Sequence, residues 1–259
     1  MLIRALNLMP PAATFVVVVG VTNAFALIAL LAMRKAVERF GFPRNEPIAT
    51  STFDRISAFN ALVLALVVVT LWTNFRTVQA DVNNEAAEMA HLGQDITGFA
   101  SADRKFYLTA LRNYVSGVAF SEWDDLCAGR ADPQVERQFE ALQQSMIVKK
   151  VPQNDGPLRA DVLGRLAKLD QLRRARLTSA RPVIIGDVWI VLVVMSALIL
   201  ISPYFYKPAH GAFALLMAVL LATALGTVFF LAVRMDDVFC GATAVSPGAI
   251  VDVARELAH

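Results

Sequence analysis

The 259-residue chain is 56% hydrophobic and only 18% charged, with a formal net charge of +2 and a mean hydropathy of +0.53, whereas a soluble domain carries about 25% charged residues. The charge is concentrated: residues 76–181 hold 15 of the 24 Lys+Arg and 14 of the 22 Asp+Glu, which leaves 17 charges for the other 153 residues. These figures exclude a disordered chain, a disulfide-rich secreted domain and a nucleic-acid-binding domain with a basic surface.

The expected fold is an all-α membrane protein. Four transmembrane helices carry a helical-bundle insert between the second and the third, and helices continue out of the membrane. A bilayer core about 30 Å thick requires roughly 20 apolar residues per span, and four stretches qualify. The first, 12–33, lies in the uncharged run between Arg4 and Arg34. Ala24-Phe25-Ala26 mimics a signal cleavage site, but the hydrophobicity continues past it to Met33. That exceeds the apolar core of about 7–15 residues found in signal peptides, so a retained anchor is the better reading. The second span, 56–75, is uncharged between Arg55 and Arg76. Membrane helices 1 and 2 thus occupy 1–75. The insert fills 76–181. Membrane helices 3 and 4 (183–206 and 211–233) fill 182–234, and a tail with a short helix follows over 235–259.

Four spans put the N-terminus, the insert and the tail on one side, with the 34–55 loop and the tight turn Lys207–Ala209 on the other. The short loop carries Arg34, Lys35, Arg39, Arg44 and Arg55, which places it in the cytoplasm and the insert outside. Arg165, Lys168, Arg173, Arg174, Arg176 and Arg181 pull the other way. They belong to an insert longer than the roughly 60 residues over which the charge rule is reliable.

No turn signal separates the second span from the insert. Leu71, Phe75, Val78, Val82, Ala86, Met89, Leu92, Ile96 and Phe99 recur at helical steps and predict one long helix that leaves the membrane. Asn60, Asn74, Asp81, Glu88 and Asp95 form a polar stripe at seven-residue spacing, with Val67 as its apolar member. A second insert helix is expected from Ser101 as N-cap, with Phe106, Leu111, Tyr114, Val115, Val118 and Leu126 on its apolar face. A third starts at Asp132-Pro133, where aspartate caps and proline suits the first helical position. Val151–Pro157 reads as a loop. A fourth helix carries Leu158, Val162, Leu166, Leu169 and Leu172 up to a break at Pro182. Residues 76–140 hold 6 basic and 11 acidic side chains, and 141–181 hold 9 basic and 3 acidic. Packing the basic helix on the acidic ones would compensate these charges on solvated faces.

The residues offer no catalytic constellation. His91, His210 and His259 lack metal-ligand spacing, and no phosphate loop, HExxH or nucleophile elbow occurs. No enzyme, cofactor or metal is implied. Cys127 and Cys240 form no CxxC motif. They either pair, if their side is oxidising, or remain two free thiols. Asp187, the one acid in a span, reads as a first-turn or interfacial group. Asn23, Asn60, Thr70, Asn74, Thr223 and Thr227 serve as interhelical hydrogen-bonding groups, with pore lining as their other use. Trp72, Trp189, Tyr204, Phe205 and Tyr206 mark membrane interfaces.

Several segments together resemble the bestrophin-like family of membrane proteins. They are Val67–Leu92 with Trp72 and Glu85-Ala86, Leu111–Val115 (LRNYV), Ser121–Trp123 (SEW), and the tail residues Phe239, Gly241 and Val245-Ser246-Pro247 before a short final helix. The resemblance runs from about Asp54 to the C-terminus. It implies kinship with bestrophins, oligomeric anion channels whose pore is lined by the second membrane helix. On that basis Asn60, Val67, Thr70 and Asn74 are candidate pore-lining residues, and Asp81, Glu88 and Asp95 are candidates for the pore mouth. No acidic calcium clasp and no aromatic and aliphatic neck stand out. The acidic extension of the stripe would repel anions unless the basic fourth helix neutralises it. The expected partners are the lipid bilayer, further copies of the chain and small ions. The competing expectation is a membrane-anchored sensor or interaction module acting through its helical bundle.

Overall fold

The computed structural model of the chain describes residues 2–40, 46–148, 156–202 and 211–258. Among them the regular structure is entirely helical: α1 (Leu2–Asn7), α2 (Pro11–Phe40), α3 (Glu46–Ile96), α4 (Ser101–Phe120), α5 (Glu122–Cys127), α6 (Pro133–Val148), α7 (Gly156–Ser179), α8 (Gly186–Ile201), α9 (Gly211–Asp236) and α10 (Gly248–Ala258).

The unbroken helix expected from the second span is present. At 51 residues, α3 is about 75 Å long at 1.5 Å per residue, far more than a bilayer core needs. It begins ten residues before the apolar run, so much of the supposed 34–55 loop is helix. Helix α2 likewise extends past Met33 to Phe40. Charged residues such as Arg39, Asp54 and Arg55 end an apolar span without ending a helix, because straight-chain polar side chains cost the backbone little.

Helices α2, α3 and α9 are long and apolar enough to cross a membrane. Helix α8 is apolar but only 16 residues long, so four full spans are not established among the described residues. The turn at Lys207–Ala209 and the residues Tyr204–Tyr206 lie outside them. So do residues 151–155 of the expected Val151–Pro157 loop. Its last two residues belong to α7, which starts at Gly156.

The chain divides into two compact units. One contains Met1–Thr73, Val183–Asp236 and Gly241–Thr243. Its core is Ala26, Leu64, Leu192, Ile199, Leu200, Ala222, Leu225 and Phe229, while Val16, Ile28, Leu66, Val193 and Leu220 stay exposed. An apolar outer face is the arrangement a lipid solvent favours. Helices α2 and α9 approach closely where Gly226 lies against Val19, and Asn23 Nδ2 donates to Thr223 Oγ1 at 3.1 Å. Asn23 and Thr223 therefore join helices. Asp187 sits exposed in the first turn of α8, as expected. Asp236 Oδ1 accepts from Ile184 N at 2.7 Å and Oδ2 from Trp189 Nε1 at 3.3 Å.

The other unit contains Asn74–Pro182, Asp237–Cys240 and Ala244–His259. Its core holds the apolar stripe of α3 from Val78 through Ile96, together with Leu111, Tyr114, Val115, Leu126, Val135, Phe139, Leu142, Val162 and Leu169. Two boundaries differ from expectation. Ala100, not Ser101, occupies the cap position of α4. The second insert helix also breaks at Ser121, whose Oγ donates to Gly117 O at 2.9 Å and to Asp132 Oδ2 at 2.8 Å. Such a side-chain bond competes with the helical backbone. Phe106 is exposed and Tyr107 is buried in its place.

Helix α6 starts as expected. Gln134 N donates to Asp132 Oδ1 at 2.7 Å, with Pro133 at the first helical position. This bond, with Ser121, holds the Asp132 carboxyl below the ordinary aspartate range. Asp132→Ala is expected to lower the unfolding free energy by about 1 kcal/mol, and Asp132→Asn, which keeps an acceptor, by much less. The native carboxyl titrates below its unfolded counterpart. Its contribution is therefore present above the ordinary aspartate pKa and fades as pH falls through that value toward the lowered one. Denaturant midpoints of the three proteins at pH 7 and pH 3 check both statements.

Candidate functional site

Residues on one face of α3 recur every three to four positions, so the burial pattern shows where the seven-residue stripe points. Asn60 is buried in the first unit with no hydrogen bond to its Oδ1. Val67 packs beside the core of that unit. Asn74 is half-buried, with its Nδ2 enclosed and unbonded. Thr70 differs: it is exposed, and its hydroxyl donates back to Leu66 O at 2.8 Å. The exposed face of α3 in this unit carries Phe59, Leu62, Leu66, Val69 and Thr70. The four membrane candidates thus share no single exposed surface.

Farther along α3, Asp81 is half-buried and Glu88 buried. Glu88 pairs with Lys168 and, at 3.4 Å, with Arg165, which also pairs with Asp95. Helix α7 therefore neutralises the acidic stripe at two of its three positions. Lys168 and Arg165 remain partly exposed, so these pairs fit the expected compensation at a solvated face.

Four further charges do not lie on solvated faces. Glu85, Glu122, Arg173 and Arg176 are all buried. Arg176 grips Glu85 with two bonds, Nε to Oε2 at 2.6 Å and Nη2 to Oε1 at 3.2 Å. Its Nη1 pairs with Glu122 Oε2 at 2.6 Å. Arg173 reaches Glu136 at 2.6 Å and Glu122 at 3.9 Å. Tyr114 donates its hydroxyl to Glu85 at 3.4 Å. The two guanidinium groups lie over rings, Arg173 on Phe139 and Arg176 on Trp123. Planar, weakly hydrated guanidinium suits such enclosed, forked pairing better than an ammonium.

The electrostatics follow from that enclosure. Burial pushes the Glu122 carboxyl above the ordinary glutamate range, against the lowering influence of Arg176 and Arg173. It also drives the Tyr114 phenol well up, with Glu85 adding to the effect. For Arg176 burial works downward, but the Glu85 and Glu122 carboxylates outweigh it and hold the group above its ordinary value. The group is a lattice of buried charges held by mutual pairing.

Sequence reasoning missed this lattice, although a signal was available. The buried phase of α7 runs Val162, Leu166, Leu169, Arg173, Arg176, and Ala180 just past its end continues it. Following apolar residues alone shifted the reading to Leu172, which is only half-buried. Arginines falling in the apolar phase mark buried cations. Glu85 likewise shares the phase of Val78, Val82 and Ala86. The residues that carried the family resemblance, Glu85, Tyr114, Glu122 and Trp123, converge here.

Cys127 and Cys240 form a disulfide, with Cα atoms 4.8 Å apart, which decides between the two alternatives left open by their spacing. Beside it Trp123 Nε1 donates to Val245 O at 2.9 Å and the Trp123 ring meets Phe239 edge-on. An open groove of about 490 Å³ between α4 and α6 is lined by Lys105, Phe106, Asn113 and Gln138, among others. No group of three His, Cys, Asp or Glu among the described residues is placed to hold a metal.

Comparison with curated proteins finds no match. Among solved structures, a crystal structure of a point variant of a bacterial bestrophin homologue from Klebsiella pneumoniae is similar over 94% of this chain and 97% of that one, with a TM-score of 0.69 at 11% identity. A second structure of that homologue, phased on zinc, covers 93% and 96% with a TM-score of 0.68 at 12% identity. At such identity the likeness establishes the fold. The Bestrophin-like domain family matches residues 15–250, nearly the whole chain. The protein belongs to the bestrophin-like family.

Proposed function

We propose that the protein is a passive ion channel, a homo-oligomer whose α3 helices line the pore and whose permeant species are small anions. The family and fold include ion channels, and the membrane part of α3 between Arg55 and Arg76 carries no ionisable group. Proton-driven transporters keep such groups near mid-membrane. The observation that carries the anion reading is the pairing of Glu88 and Asp95 with Arg165 and Lys168. It removes the negative field that would otherwise oppose anions along the continuation of α3. Within the membrane Thr70 is the candidate best placed to meet an ion. Asn60, Val67 and Asn74 then act behind the lining, and Asp81 remains the acid of this stripe without an α7 partner among the described residues. The short-loop charge favours an extracytoplasmic insert, and a Cys127–Cys240 bond fits an oxidising compartment.

The test is chloride and potassium flux from vesicles reconstituted with the purified full chain. Chloride is expected to leave faster than from empty vesicles, and faster than potassium. Arg165→Ala with Lys168→Ala exposes Glu88 and Asp95 and is expected to reduce chloride preference about tenfold, an electrostatic change of about 1.4 kcal/mol. Thr70→Leu and Asp81→Lys should alter conductance and selectivity respectively. Leakage equal to that of empty vesicles would sink the proposal.

A further inference from the structure

The segment between α9 and α10, residues 237–247, has no regular structure of its own. Cys240 lies four residues beyond the end of α9. Residues 237–240 and 244–247 belong to the unit built on the insert, and 241–243 to the other. What docks the former is a short set of contacts. Val238, Phe239, Cys240 and Val245 are buried, Val245 N donates to Val238 O at 2.8 Å, and Trp123 holds Val245 O and the Phe239 ring. The Cys127–Cys240 bond is the one covalent tie, joining α5 to a point 113 residues away in sequence. Its two ends differ in access: Cys240 is buried, whereas Cys127 is half-exposed. Trp123, which receives the segment, also underlies Arg176 of the buried charge lattice.

We propose that Cys127 and Cys240 form a thiol–disulfide latch, opened by a dithiol reductant, that controls whether residues 237–240 and 244–247 stay docked on α5. In the first step a thiolate of the reductant attacks Sγ of Cys127, the less buried of the two residues, and Cys240 leaves as a thiolate that takes up a proton. The second thiol of the reductant then displaces Cys127, which is protonated in turn. The protein gains two electrons and two protons, and the dithiol becomes a disulfide. Opening removes the covalent tie and leaves the Trp123–Val245 bond and the apolar anchors Val238, Phe239 and Val245 against the conformational freedom of an irregular segment.

The experiment uses the purified full chain, with dithiothreitol and then a thioredoxin-type dithiol as probes. Alkylation with mass analysis counts thiols, and hydrogen exchange follows the backbone. Two thiols are expected to appear without denaturant. Exchange in 237–240 and 244–247 should then rise about tenfold while 111–118 on α4 stays protected, and oxidised glutathione should reverse both changes. Cys127→Ser should show the fast exchange without any reductant, and reduction of the unaltered chain gives the same reading if that variant does not fold. Thiols that appear only on denaturation would overturn the latch. So would two thiols with unchanged exchange, or a loosening of 111–118 together with the segment. The readout is exchange and not flux, so failure of the channel reading leaves this one standing, and the reverse also holds.

Discussion

Replacing Arg176 by methionine is expected to destabilise the unit built on the insert by about 3–5 kcal/mol, the usual cost of leaving buried charge without its partner. Arg176 is fully buried and serves two carboxylates, Glu85 and Glu122. Without it both carboxylates lose their closest cation, and Arg173, at 3.9 Å from Glu122, is the nearest substitute. The pH dependence gives the mechanism a separate check. In the variant the Glu122 carboxyl, already raised by burial, titrates higher in the folded than in the unfolded state, so the native protein binds more protons above the ordinary glutamate pKa. The slope of unfolding free energy with pH is then negative, and part of the lost stability returns as pH falls from 8 to 5. Arg176→Lys restores charge but not the fork to Glu85, and should recover less than half of the loss. The combination Glu85→Gln, Glu122→Gln, Arg176→Met should be milder than Arg176→Met alone, since no net charge is stranded. Thermal unfolding in detergent at the two pH values measures all of these. A variant as stable as the parent at pH 8 would show that the lattice contributes nothing.

The second large effect concerns the membrane helices. Gly226 of α9 is expected to tolerate no larger side chain, because a Cβ there would lie 3.1 Å from Val19 Cα and closer still to Thr22 Oγ1. The hydroxyl can rotate away but the α2 backbone cannot, so helices α2 and α9 must separate. Gly226→Leu should cost about 1–3 kcal/mol through overpacking, with Gly226→Ala near the lower end. It should also weaken the Asn23–Thr223 bond, which lies one turn away at 3.1 Å. Small residues permit such approaches where lipid offers no hydrophobic drive between helices. Gly20 on α2 is the control, since a Cβ there meets nothing within 4 Å. Gly20→Ala should leave the melting temperature unchanged or slightly raised. Equal losses at Gly20 and Gly226 would refute the packing argument.

Much of the helical plan was legible because a single physical rule governs it. Apolar residues at three- and four-residue steps traced α3 from Leu71 to its end at Ile96, with Phe99 in the turn beyond, and every one of those positions is buried except Phe75, which packs beside the core. The Asp132-Pro133 start of α6 was legible for the same local reason, since cap and proline act within one turn. Helix ends set by charge were not. Polar residues close a membrane span without closing a helix, and α2 and α3 both ran beyond their apolar stretches. The break at Ser121 depended on Asp132, eleven residues away, which no local pattern reveals.

The candidate site divides in the same way. The stripe Asn60, Val67, Asn74, Asp81, Glu88, Asp95 is local arithmetic on one helix, each heptad step drifting about 20° around the axis. Which side of α3 faces the rest of its unit is not local, and there burial took Asn60 and left Thr70 exposed. The resemblance picked out Glu85, Tyr114, Glu122 and Trp123 as separate short motifs. Their meeting with Arg173 and Arg176 depends on how α3, α4, α5 and α7 pack.

The sequence by itself determined the membrane class, the concentration of charge in 76–181 and the continuity of the second span with the insert. Each follows from composition or from period along one helix. Only the tertiary structure decided which charges are buried, which cysteines meet and which face of α3 is open. Those properties depend on contacts between residues 91 or 113 positions apart, and a one-dimensional period carries no information about such pairings.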